Sequence, residues 1–234
     1  MLKQKMNKKV IFNDWQNLFP QLVPYSKNKL YKVVGPLVIG IELIKLPHVE
    51  EYRPYFVIYP LWGNKLGNNI NDCLSSPVIL SDIRNKKGLQ FDIPYSKHGE
   101  YFAEAVECTK KQIQIPFNKD VILNTLFGVV NGCFKDKMVN SNAGQQAKLF
   151  QFEFYAALYV NNNKQLVSIL NQIQKESKHW NMELFELWFG NFEHWLMALR
   201  NKVNFRNEFM NQIKTNQHDK KIEKLYFSEL IDKI

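Results

Sequence analysis

The chain has 234 residues (27.7 kDa), is 45% apolar and 14% aromatic, and carries 31 Lys and Arg against 22 Asp and Glu, a net charge of +9. That many large apolar side chains at moderate charge rule out a disordered chain, and only 10 Gly rule out a collagen-like one. Cys73, Cys108 and Cys133 are odd in number and lie tens of residues apart, which argues against a disulfide framework or a zinc knuckle and for a reducing cytoplasm.

Lys3, Lys5, Lys8 and Lys9 are followed by Val10, Ile11, Phe12, Asn13 and Asp14, with no sustained apolar segment, so no signal peptide is expected. The longest apolar stretch, 33–46, is broken by Gly35, Pro36, Gly40 and Glu42 and falls short of the roughly 20 residues that cross a bilayer. A soluble cytoplasmic protein without membrane partners is expected. Abundant Asn, Lys and Ile suggest an AT-rich bacterial genome.

Phe12, Trp15, Leu18, Phe19 and Leu22 recur at spacings of three and four, which predicts a short helix over about 12–22, stopped by Pro24. A first strand is predicted over 30–46, with Leu37, Ile39, Ile41 and Leu43 on one face and Val38, Gly40, Glu42 and Ile44 on the other. A hairpin at 47–51 leads to a second strand over 52–62, flanked by Pro54 and Pro60. Third and fourth strands, 78–82 and 89–93, flank a turn at 84–88. Four strands joined by short turns favour an antiparallel meander.

From His98 the apolar period turns helical. Helices are predicted near 99–114, 119–134, 144–160, 163–178, 182–201, 203–215 and 219–233, with Asn118 and Asn181 as N-caps. The fold class is therefore α+β: a mainly β half over 1–97 with its N-terminal helix, and a helical half over 98–234, read as one continuous folding unit. The polar seams 63–76 and 135–144 are candidate partner-binding loops. Over 181–200, Met182, Leu184, Phe185, Trp188, Phe189, Phe192, Trp195, Leu196 and Leu199 fall on one broad helical stripe. It reads as a core helix, with an interface as the open alternative.

Catalytic patterns are sparse. Tyr25 and Lys29 have dehydrogenase-like spacing but lack a glycine-rich turn beside them, and the five His are scattered. His218-Asp219 lacks a suitably distant aspartate to serve a metal phosphohydrolase. Glu42, His48, Glu50, Glu51 and Arg53 form the densest ionisable cluster of the β half, read as a structural Glu42–Arg53 ion pair across the hairpin. The seven residues from Leu199 to Phe205 resemble the Arg-Asn-plus-His motif of HEPN helical-bundle ribonucleases, with Phe205 where that motif has His. The resemblance implies at most an inactive bundle in which Arg200 caps or packs. No catalytic residue, metal or cofactor is assigned, and an enzyme is not favoured.

The leading expectation is a non-enzymatic protein-interaction module of accessory, immunity or defence type, an analogy of fold alone. Its expected contacts are Tyr55, Tyr59 and Trp62 on an exposed edge of the second strand, with Arg84, Lys86 and Lys87 steering a negatively charged partner. The alternative is a DNA or RNA binder using the same basic turn together with Lys3, Lys5, Lys8, Lys9, Lys27, Lys29 and Lys32. A third reading is a hydrolase assembled around Glu42 and His48.

Overall fold

The computed structural model describes residues 8–63, 74 and 76–232; Lys3, Lys5, Cys73 and most of the 63–76 seam lie outside the described residues. Helix α1 (Lys8–Leu18) lies four residues earlier than expected and ends two residues before Pro20; of the spacing that predicted it, Phe12 and Trp15 are buried together with Ile11, Leu18 is exposed, and Phe19 and Leu22 are buried beyond its end. Strands β1 (Val23–Ser26), β2 (Lys29–Val34), β3 (Leu37–Lys45), β4 (Glu51–Pro60) and β5 (Ile79–Asp82) follow in an antiparallel meander in sequence order. The expected strand over 30–46 is thus a hairpin of β2 and β3. It folds back at Gly35, whose φ of +50° suits glycine and whose missing side chain admits Leu230.

Strand β3 is buried on both faces from Leu37 to Leu43. The face of Ile39 and Ile41 lies on the side where Tyr52 meets α1 and α2 (His98–Gln112): the Trp15 indole donates to Tyr52 Oη at 3.2 Å, and Tyr52 Oη lies 2.8 Å from His98 Nδ1. On the opposite face the register places Gly40 beside Tyr31 and Glu42 between Lys29 and Tyr55. The expected Glu42–Arg53 pair does not form, because Arg53 sits opposite Ile44 and bonds Asp92 at 2.6 Å instead. The expected fourth strand shrinks to β6 (Ile93–Pro94), which pairs with the start of β4, and to a single bridge between Arg84 and Gln90.

The helical half contains α3 (Leu123–Phe134), α4 (Lys137–Asn140), α5 (Ala143–Tyr159), α6 (Asn163–Glu176), α7 (Met182–Phe189), α8 (Phe192–Lys202) and α9 (Arg206–Gln217). Asn142, Asn162, Asn181 and Asn191 each accept a backbone N–H at the start of a helix and serve as its N-cap. Asn118 is not one of them, since α3 starts at Leu123 after the short strand β7 (Val121–Ile122). The helix expected over 182–201 is broken at Gly190, whose φ of +71° ends α7, and Asn191 caps α8. Phe185, Trp195, Leu196 and Leu199 of the stripe are buried and Met182, Phe189 and Phe192 are partly buried against them, while Leu184 and Trp188 are exposed, so the stripe is core apart from those two.

The helix expected over 219–233 is absent among the described residues. Its place is taken by turns and two short strands, β8 (Phe227–Ser228) and β9 (Leu230–Ile231), parallel to β2 and β7. The cause is an open backbone edge: β1 covers β2 only as far as Tyr31, and Val33 and Gly35 donate to Tyr226 O and Ser228 O at 2.8 Å each. Buried apolar side chains from Ile11 to Leu230 form one contiguous cluster shared by the sheet and the helices.

Candidate functional site

The sheet's β5 side opens into a cleft of about 910 Å³, bounded by β5, the end of α2 and one flank each of α3 and α5. Among the described residues, β5 pairs only with β4. Ile83 N–H points inward to Pro54 O at 3.1 Å, and alternation along the strand turns the N–H and C=O groups of Leu80 and Asp82 outward. The next outward residue, Arg84, has both backbone groups taken by one side chain. Gln112 Oε1 accepts from Arg84 N–H at 3.0 Å and Gln112 Nε2 donates to Arg84 O at 2.6 Å, the pairing a neighbouring strand would supply.

Across the cleft, Gly128 and Gly132 stand one turn apart on α3, and a methyl group added at either would meet no atom within 4 Å. Glycine inside a helix costs about 1 kcal/mol relative to alanine, so this pair keeps a trough open against local stability. Lys148 of α5 donates to Pro77 O at 3.0 Å, and burial lowers its pKa. Asp82 Oδ2 is buried with no aligned hydrogen-bond donor; Arg84 Nε stands 3.3 Å away as an ion-pair partner but outside hydrogen-bonding alignment. Burial pushes the Cys133 thiol pKa up, which disfavours a nucleophilic thiolate. Among the described residues no group of three potential metal ligands converges.

The residues expected to bind a partner are dispersed. The edge of β4 is not exposed, because β3 covers one side and β5 and β6 the other. Tyr59 is 5% exposed and donates to Glu42 Oε1 at 2.7 Å. Trp62 lies just past β4 against Phe152, Tyr155 and Phe209, and Tyr55 is half-buried against the core. Of the three, none lines the cleft, whereas Arg84 does. Arg84 pairs with Asp82 and Lys86 with Glu107 at 2.8 Å; Lys87 is exposed. Lys111 and Lys86 together hold the Glu107 carboxyl pKa down at about 2.

Two buried polar clusters lie away from the cleft. Glu42 Oε1 accepts from Tyr31 and Tyr59 and lies 3.3 Å from Lys29 Nζ, while His48 stands exposed in the 47–50 turn. No described hydrogen bond or ion pair joins Glu42 to His48. Burial, then the Glu42 carboxylate, raises the Tyr31 pKa. Asp14, His98 and Tyr52 line up as acid, imidazole and hydroxyl. The Trp15 indole can only donate, so Tyr52 Oη accepts it and gives its proton to His98 Nδ1, which leaves His98 Nε2–H for Asp14 Oδ2 at 3.2 Å. With Tyr52 fully buried, this chain of bonds fastens α1 to α2 and β4 and presents no hydroxyl to a substrate.

No family model, curated protein or solved structure matches the chain. Among the described residues no helix is long and apolar enough to cross a membrane. The cleft was only partly legible in sequence. The Gly128 and Gly132 pair, four apart within a predicted helix, was the available signal; Gln112 and Lys148 carried none.

Proposed function

We propose that the protein binds an extended segment of a partner protein by strand addition at β5. The observation that carries this reading is the unpaired outward edge of Leu80 and Asp82 opening into a cleft wide enough to take another chain. Four residues of β5 present about 13 Å of edge, enough to pair a segment of about four residues. Backbone hydrogen bonds would supply affinity there, and alternate side chains of the segment would meet either the α3 trough or solvent. The partner class is the one the sequence suggested, moved one strand outward in the sheet.

The pairing and burial of several basic residues disfavour the nucleic-acid alternative. Lys8 pairs with Glu50 at 3.1 Å, Lys29 with Glu42 and Lys86 with Glu107, and Lys32 is buried. Groups already paired with carboxylates release few counterions on meeting phosphates. Lys86→Glu with Lys87→Glu is therefore expected to leave peptide binding intact.

The test is panning of a displayed random-peptide library, followed by amide hydrogen exchange of the complex. Selected peptides are expected to protect the Leu80 and Asp82 amides and to lose about tenfold or more in affinity for Leu80→Pro, which deletes an outward N–H and spares the β4 ladder. Gly132→Leu, which fills the trough, is expected to weaken binding similarly while leaving β5 untouched. Peptides that bind Leu80→Pro as tightly as the parent, or that leave both amides unprotected, would overturn the reading.

A further inference from the structure

A second cleft, of about 500 Å³, lies at the opposite sheet edge, where β1 has left β2 and β8 has not yet joined it. Lys32 of β2 stands in this gap and is only 3% exposed. Its Nζ donates to Phe117 O at 2.7 Å, the single described hydrogen bond of a group with three N–H donors. Ser228 Oγ, also on the lining, is buried with no described partner. Buried donors left unspent in native proteins call for an acceptor, either water or a ligand.

Charge and surface narrow the choice of acceptor. Lys32 and Lys119 face one carboxylate, Asp120, whose Oδ1 is fixed by the Glu229 N–H at 2.9 Å, so the lining carries a single net positive charge. The register puts Ser228 on the Lys32 face and Phe227 on the other, and Tyr226, the aromatic ring just before that strand on the lining, is 58% exposed. We propose that this cleft binds a monocarboxylate carried on a flat or aromatic body, with the carboxylate accepting from Lys32 Nζ and Ser228 Oγ and the body resting against Tyr226. A phosphate dianion would oppose Asp120 and leave the Tyr226 ring uncovered. Burial lowers the Lys32 pKa and Asp120 partly restores it; a bound carboxylate acts in the same direction as Asp120.

Benzoate, acetate and inorganic phosphate are the probes, each titrated by calorimetry against the full chain. Benzoate is expected to bind saturably, with acetate and phosphate each at least about tenfold weaker. Lys32→Met is expected to abolish benzoate binding. Ser228→Ala and Tyr226→Ala, which keep the Lys32–Phe117 contact, are each expected to weaken it several-fold, and they decide the matter if Lys32→Met does not fold. Benzoate that shows no saturable binding at millimolar concentration, or that binds Ser228→Ala and Tyr226→Ala as tightly as the parent, would overturn the proposal. Phosphate binding tighter than benzoate would overturn the assigned ligand class.

Discussion

Gly40→Ala is expected to unfold the protein or to lower its Tm by about 10 °C or more. The β-carbon would stand 1.9 Å from Leu30 O and 2.7 Å from the Tyr31 ring, and the first of these is backbone in the paired strand. Relief requires β2 and β3 to separate at the point where Tyr31 lies opposite Gly40. Both strands are buried there, so the separation opens the core as well as the ladder. Single substitutions that force such a shift cost on the order of 4 kcal/mol, against a total stability of roughly 5–15 kcal/mol for a folded domain. At 2–4 °C per kcal/mol for a chain of this size, the midpoint moves by roughly the amount stated. Gly99→Ala, near the start of α2 with open space around it, is the matched control and is expected to raise stability slightly. Thermal unfolding followed by circular dichroism reads both. A Gly40→Ala protein as stable as the parent would mean that the β2–β3 register is not the one described.

Glu153→Gln is expected to stabilise the protein, by an amount that grows with pH. Glu153 sits on α5, the central helix of the helical half, at 4% exposure, and burial pushes its carboxyl pKa up from 4.5 to about 8. At pH 7 the folded state therefore holds a proton that the unfolded chain has released. A carboxyl whose folded pKa is raised contributes its full stability below the unfolded value and loses it as pH climbs toward the folded value. At about 1.4 kcal/mol per pH unit, the loss at pH 7 is on the order of 3 kcal/mol. Glutamine keeps the shape and cannot ionise. The variant's advantage should vanish near pH 4.5 and reach about 6–12 °C in Tm at pH 7. His98 works with the opposite sign: burial, opposed by Asp14, lowers its pKa, so its contribution is full above about pH 6.5 and fades as pH falls. The difference between parent and variant cancels His98 and isolates Glu153. A difference that is constant from pH 4.5 to 8 would refute the assignment.

The residues whose roles differ from the sequence expectation share one property: each role depends on which element lies beside it. The Leu30 to Leu46 run has a strand's composition throughout, and only the turn at Gly35 with Leu230 packed over it shows that the run is two strands. Tyr55, Tyr59 and Trp62 have the residue types of an interface, but β5 and β6 close the edge on which that expectation rested, and the same aromatic rings become core. The basic turn at 84–88 has the composition of free charge, yet Asp82 and Glu107 stand beside it. The 219–233 segment is drawn from helix to strand by unsatisfied N–H groups of β2, more than 180 residues earlier in the chain. Buried Glu153 was also silent, since a glutamate in a helical pattern reads as a solvated face.

The sequence by itself determined what depends on local chemistry: a short amphipathic helix, a meander of β-branched strands joined by brief turns, and a helical array capped by asparagine. Periodicity, proline and side-chain capping act over a few residues and leave their mark in order along the chain. Tertiary structure alone decided which strand edge remained unpaired, which lysine was enclosed, and which charges had partners. Those outcomes are set by contacts between residues far apart in sequence, where burial and backbone pairing, rather than residue type, fix the energy.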